Sequence, residues 1–311
     1  MKAAQISEYG KDVVKINPDA EMPELSSGNV IVKVHAAGVN PIDWKITEGY
    51  LGQALSDNFP LTVGDDFAGT VEEVGEDVTE YTKGDNVYGS GGVRMGGSGA
   101  IAEYLVTGVN LISKKPEDAS NHEAAALPLT GVSAVDVIYN KIKLEKGQKI
   151  LIHGGSGGIG SMAIQIAKHL GAYVATTARK DKVQYLKDLG ADEIIDYKDE
   201  VFEEILKDYD AVFDTVGGDT YKRSFKVLKK GGVIVSMLGQ PDTELMNKYQ
   251  VNALGQFTQT NSDSLKKLAE LFDDGAIKVY IDRVFPLDEA AEALKYQRDN
   301  SVKGKVVIEI N

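Results

Sequence analysis

Residues 149–171 read KILIHGGSGGIGSMAIQIAKHLG. The apolar run KILIH (149–153), closed by glycines, predicts a buried β-strand. The spacing of Ile164, Ile166, Ala167 and Leu170 predicts a helix over 158–170. Between them Gly155, Gly157 and Gly160 satisfy G-x-G-x-x-G. The chain holds 33 glycines, so the pattern alone decides little. Its context decides more: a strand before it, a helix after it and a second strand, AYVATTA (172–178), at the expected distance. Glycine lets the backbone turn tightly and approach a pyrophosphate, whose charge then rests on exposed N–H groups and the positive end of the helix. Gly155, Ser156, Gly157, Gly158, Ile159 and Gly160 are therefore the candidates to hold a dinucleotide, with a plain tight β–α turn as the alternative.

The tip of the second strand discriminates between the two nicotinamide cofactors. An Asp or Glu there would hold the ribose hydroxyls of NADH. This chain has instead Thr176, Thr177, Arg179 and Lys180, hydroxyls and two cations suited to a 2′-phosphate. Asp181 follows, and as the first residue of the next helix it is expected to be an N-cap. NADPH is thus expected over NADH, unless Arg179 and Lys180 are ordinary solvated charges.

Outward from this turn, strand and helix alternate. EIIDY (193–197), AVFDTV (211–216) and GVIVSM (232–237) predict further strands, with helices over 181–189 and near 200–207. Such alternation implies right-handed βαβ units and a parallel sheet covered on both faces. Residues before about 120 differ. VIVKVHAAGV (30–39), GTVEEVGEDV (69–78) and DNVYGSGG (85–92) are short β-branched runs punctuated by Gly, Asp and Asn, an irregular β-rich domain. After 262 a helix (SLKKLAELFDDG), the run IDRVFPL, a helix over 288–298 and a last strand, KVVIEI (305–310), complete the chain.

The bulk properties limit the functions available. At 311 residues, two domains with a ligand-binding cleft are the natural expectation. Apolar residues at 42% and only 8 prolines argue for packed cores without long disordered tracts. A net charge of −13 repels phosphate backbones and anionic lipid, which disfavours nucleic-acid and membrane roles. With no cysteine there is no disulfide framework, thiol nucleophile or thiolate metal site, and a cytoplasmic location is expected. No apolar run approaches the ~20 residues that span a bilayer.

VNPIDWK (39–45), PLTVGDDFAGTVEEVG (60–75), KGDNVYG, AEYLV, AAALPLTGVSAVDVI, HGGSGGIG, GADEIIDY and KGKVVIEI follow one another along nearly the whole chain. In this order they resemble the medium-chain dehydrogenase/reductase superfamily. The NP-x-D-x-K pattern of Asn40, Pro41, Asp43 and Lys45 resembles its zinc-free quinone and enone (alkenal) reductase branch in particular. The resemblance implies an α/β fold in which a Rossmann doubly wound parallel sheet (123–262) binds NADPH and a β-rich GroES-like catalytic domain spans 1–122 and 263–311. It also implies a homodimer, with 253–260 (ALGQFTQT) as its edge.

In zinc-dependent members the first two segments carry a cysteine and a histidine as metal ligands, whereas Asn40 and Asp65 stand at or near those places here. The four histidines, His35, His122, His153 and His169, are scattered, and each is expected to be a singly satisfied structural residue. No metal is expected. Resemblance places Asn40 beside the nicotinamide and the substrate oxygen as a neutral amide donor. Asp43 and Lys45 are candidates to orient a water or supply a proton, or else to form a structural salt bridge. Tyr50 is a candidate acid or a wall residue, and Trp44 a pocket wall or core residue. Thr130 corresponds to a hydroxyl on the nicotinamide side, with a helix N-cap as the alternative. Tyr197 corresponds to a tyrosine near the adenosine phosphate, and Gly239, Lys303 and Gly304 to loops lining the cofactor cleft. The glycine-rich 89–100 gives no substrate information and could form a mobile lip.

Without a Lewis acid, simple alcohol–ketone interconversion is disfavoured. Hydride donation to a quinone or an α,β-unsaturated carbonyl fits, because the charge created delocalises. The alternatives are a zinc-free reductase of another carbonyl, and a non-enzymatic NADPH-binding redox sensor.

Overall fold

The computed structural model describes residues 1–51 and 58–311. The chain divides into two compact units. One comprises Met1–Leu129, Thr260–Gly275 and Val279–Asn311; the other comprises Thr130–Gln259 and Ala276–Lys278.

In the second unit KILIH is the strand Lys149–His153, buried from Ile150 onward, and lies inside a six-stranded sheet. Its neighbours on one side are Tyr173–Ala178 and then Glu193–Asp196. On the other side come Tyr209–Asp214, Leu228–Ser236 and Asn252–Gly255. All five pairings are parallel, giving the order 3-2-1-4-5-6. A strand covered on both faces needs an unbroken apolar run, as in Ile150, Leu151 and Ile152, each worth about 1.5–3 kcal/mol of burial. The helix Gly158–His169 buries Gly160 through Ala167 against this sheet.

Three sequence expectations change here. Asp181 caps no helix: it lies in a 3-10 turn, Lys180–Lys182, and pairs with Arg179 at 3.5 Å and Lys182 at 3.7 Å, while the helix proper is Val183–Asp188. The expected helix near 200–207 shortens to Phe202–Ile205. Of the strand-like run 253–260, only Ala253–Gly255 lies in the edge strand. Beyond it Gln256 donates to Asp136 at 2.8 Å and Thr258 bonds Ser133 at 2.5 Å, so polar side chains turn inward where a strand would pair.

The first unit is built on the strand Asn29–Val39, central to a seven-stranded sheet with antiparallel partners at Asp66–Val74, Tyr104–Gly108 and Lys305–Glu309. Val32, Val34, Phe67, Val71, Leu105, Phe285, Val306 and Ile308 form its core. Residues 123–129, placed by sequence with the dinucleotide domain, lie in this unit. The helix Asn121–Ala125 packs so closely that a Cβ on Gly38 would meet the Ala125 carbonyl at 2.2 Å, and the Leu129 N–H donates to Asp66 at 3.0 Å. Within the glycine-rich 89–100, Gly96 has open space around it, but other glycines are closely packed. A Cβ on Gly97 would meet the Gly91 carbonyl at 2.2 Å, and one on Gly99 the Thr62 carbonyl at 2.3 Å, so these positions are required by close backbone packing.

Candidate active and cofactor sites

The glycine turn separates into structural and open positions. A Cβ on Gly155 would strike Thr176 Oγ1 at 2.1 Å, and one on Gly160 the Gly154 carbonyl at 2.3 Å. These two glycines let turn, helix and sheet meet. A Cβ on Gly157 would meet only the Gly154 carbonyl, at an ordinary 3.5 Å. Gly157 is the N-cap of the helix Gly158–His169, and no side chain caps it. An uncapped helix end faced by open space suits a pyrophosphate. Ser156, Gly158 and Ile159 lie half-buried around it.

At the tip of Tyr173–Ala178, Thr176 is fully buried and donates to the Ile152 carbonyl, which removes it from any ligand. Thr177 is buried and bonded to His153 at 2.9 Å, while its carbonyl accepts from the Gly155 N–H at 3.3 Å. Arg179 and Lys180 are exposed just beyond. Tyr197 is 50% exposed, with Lys198 over its ring. Gly239 donates its N–H to Ser236 at 2.7 Å. Thr130 is buried within the helix Pro128–Val135 and is not its N-cap.

In the first unit the sequence around 40–45 is the short helix Pro41–Thr47, with Asn40 at its head. Asn40 is fully buried, and its Nδ2 donates to Asp66 Oδ2 at 2.8 Å while its Oδ1 accepts from Lys305 Nζ. Lys305 also reaches Asp66 at 3.4 Å. Asp43 Oδ2 accepts from the Asn40 N–H at 2.7 Å, but its buried Oδ1 has no partner. Burial raises the Asp43 carboxyl well above the usual range, against the pull of the Asn40 N–H. Burial likewise pushes Asp66 up to about 6, outweighing the attraction of Lys305. Asp43 and Lys45 form no salt bridge, since Lys45 lies over the Trp44 ring. Trp44 Nε1 donates to Gln297 at 2.7 Å, and Tyr50, 70% exposed, meets the Trp44 ring edge-on. Lys303 lies over the Tyr280 ring at 4.2 Å; a Cβ on Gly304 would strike the Tyr280 carbonyl at 2.2 Å.

The metal of zinc-dependent relatives does not fit these residues. The places of its ligands hold an amide committed to Asp66 and Lys305, and Asp65, which accepts from Ser90 and pairs with Arg94 at 3.7 Å. An ammonium already supplies the cationic charge, and no thiolate exists in the chain. Sequence reasoning missed Lys305 and Asp66 as members of this cluster. Their signal was present in GDD (64–66) and GKVV (304–307), but nothing in the spacing joins two segments 239 residues apart. The expectation of singly satisfied histidines also fails at His153, whose two ring nitrogens both bond, to Thr177 and to Ser224, at 2.9 Å each.

Residues 26–117 match a family model described as an alcohol dehydrogenase GroES-like domain, and residues 189–308 one described as a zinc-binding dehydrogenase. The chain is 36% identical over 319 residues to a 2-methylene-furan-3-one reductase of Solanum lycopersicum, covering 99% of this chain and 79% of that one. It is 35% identical over 317 residues to an NADPH-dependent alkenal/one oxidoreductase, chloroplastic, of Arabidopsis thaliana, with the same coverage. Among solved structures, the quinone oxidoreductase of Coxiella burnetii superposes with a TM-score of 0.92 at 35% identity, covering 100% of this chain and 99% of that one.

Proposed function

Because the chain belongs to the medium-chain dehydrogenase/reductase superfamily, we propose that it is an NADPH-dependent reductase of quinones or α,β-unsaturated carbonyls that works without a metal. The observation that carries this reading is the uncapped helix end at Gly157, open to a pyrophosphate and followed at the next strand tip by two exposed cations. When bound, the cofactor supplies hydride. The chain supplies the phosphate cradle at 155–160, the 2′-phosphate partners Arg179 and Lys180, and contacts from Thr130, Tyr197, Gly239, Lys303 and Gly304.

With no metal-ligand set among the described residues and with the zinc-ligand places filled as above, the reading takes an acceptor that is already electrophilic, as a quinone or an enone is. Asn40 acts as an amide held in place by Asp66 and Lys305, and Asp43, whose carboxyl burial raises well above the usual range, is the candidate proton source bonded to its N–H. Lys45 and Tyr50 serve the substrate side. No helix among the described residues is long and apolar enough to cross a membrane. A cytoplasmic homodimer is the arrangement we favour, paired along the segment 253–260, where Leu254 and Phe257 are exposed.

An acceptor panel of one ortho-quinone, one para-quinone, a short alkenal and a cyclic enone tests this function, with NADPH and NADH in parallel. NADPH consumption with at least one class is expected; tight NADPH binding without turnover of any would favour a non-enzymatic role. Changing Arg179 and Lys180 together to glutamine is expected to weaken NADPH binding about 10- to 100-fold and leave NADH nearly unchanged, measured by calorimetric titration. The upper bound is modest because both side chains are exposed. Equal losses for both cofactors contradict the 2′-phosphate assignment.

A further inference from the structure

His153 has no exposed surface, and it stands on the last residue of the strand that leads into the phosphate turn. Its Nδ1 lies 2.9 Å from Thr177 Oγ1 and its Nε2 lies 2.9 Å from Ser224 Oγ. The Ser224 hydroxyl donates its one proton to the Thr220 carbonyl at 2.6 Å. Ser224 can therefore only accept from the ring, and Nε2 must carry the imidazole proton. Nδ1 is then a lone pair, and the contact to Thr177 exists only if the Thr177 hydroxyl donates into it. A chain of three hydrogen bonds, anchored on a backbone carbonyl, thus fixes every proton along it.

We propose that His153 sets the polarity of Thr177, so that Thr177 offers the adenosine ribose a hydroxyl oxygen that accepts and cannot donate. This deepens the cofactor reading above and rests on it for the identity of the ligand. A phosphate oxygen carries no proton to give such a group, whereas a ribose hydroxyl does. The 2′-phosphate is therefore left to Arg179 and Lys180, and Thr177 serves a ribose hydroxyl. His153 is a positioning residue, acting through Thr177. Burial lowers its pKa to about 4, with Asp214 opposing and Arg223 reinforcing, so the ring stays neutral and the polarity holds across the physiological range. The Phe202 ring, packed edge-on at 4.7 Å, helps fix its orientation.

Two measurements on the full chain test this. In imidazole nitrogen NMR of the 15N-labelled protein, with four histidines to resolve, one ring is expected to be neutral at pH 6, protonated on Nε2 and accepting at Nδ1, with and without NADPH. An Nδ1-protonated or charged ring overturns the proposal. In calorimetric titration, Thr177→Val is expected to weaken NADH at least as much as NADPH, by about 2- to 10-fold. A loss confined to NADPH shows a hydroxyl donating to the phosphate and overturns it. His153→Leu frees the Thr177 proton and is expected to raise the NADPH:NADH affinity ratio about tenfold; an unchanged ratio in the folded variant counts against the proposal. If this variant fails to fold, the tautomer and Thr177→Val remain decisive. Failure of the 2′-phosphate reading itself appears separately, in the Arg179 and Lys180 variant, and leaves the tautomer result standing.

Discussion

Replacing Gly157 with valine is expected to abolish binding of NADPH and NADH alike while the protein stays folded. Gly157 has φ −79° and ψ 172°, a conformation open to any residue, and its Cβ would sit 3.5 Å from the Gly154 carbonyl, an ordinary contact. No described atom lies closer to that Cβ. In the cofactor reading proposed above, that side chain would crowd the uncapped end of the helix Gly158–His169, where the pyrophosphate is to be held. Loss of two hydrogen bonds to a charged group costs about 3–6 kcal/mol, or roughly two to four orders of magnitude in affinity. Gly160→Val is the contrast. Its Cβ would meet the Gly154 carbonyl at 2.3 Å, so that variant is expected to lose thermal stability as well. Unchanged cofactor affinity in folded Gly157→Val would show that the turn is only a turn.

Lys305→Met is expected to destabilise the first unit by about 3–5 kcal/mol. The ammonium is 3% exposed and contacts Asp66 and Asn40, both fully buried. Removing this cation leaves the Asp66 carboxylate without the charge that opposes its burial. Trp44, the only tryptophan, lies in this unit, and its fluorescence during urea unfolding reads the loss. The effect is pH-dependent with a definite sign. The folded-state pKa of Asp66, about 6, lies above its ordinary value of 3.8, so the native state holds the extra proton between these values. This group's contribution to stability therefore rises as pH falls through about 6 towards 4. The deficit of Lys305→Met is expected to narrow from pH 8 to pH 5, because neutral Asp66 no longer needs its partner. A shift below about 1 kcal/mol at pH 8 would contradict a compensating role.

The dinucleotide-binding half of the fold was legible in the sequence because its signals are local. KILIH, the glycine turn and the amphipathic run after it occupy 23 consecutive residues, and each βαβ unit repeats the same logic. Boundaries failed where polar side chains found partners other than the expected helix end. Asp181 is drawn to Arg179 and Lys182 and caps nothing, and the helix at 202 stops after one turn, Glu203 holding Arg223 through two short bonds. The candidate active site was half legible. Asn40 and Asp43 stand out in one segment, but their functional state depends on Asp66 and Lys305, which only the folded sheet brings beside them. Tyr50, close in sequence, is 70% exposed and meets the Trp44 ring edge-on beside this cluster. His153 could not be distinguished from its three fellows by pattern, because its role lies in the two hydroxyls it joins.

The central claim, that hydride from NADPH is delivered to an acceptor activated by conjugation, is tested most directly by isotope transfer. The enzyme would be given NADPH carrying two deuteriums at C4 and a cyclic enone or short alkenal, and the product examined by mass spectrometry and NMR. Deuterium at the β-carbon of a saturated carbonyl is the predicted result. Deuterium at the carbonyl carbon of an alcohol, or label retained in the cofactor when the enone, the alkenal and a quinone are each bound, would contradict it.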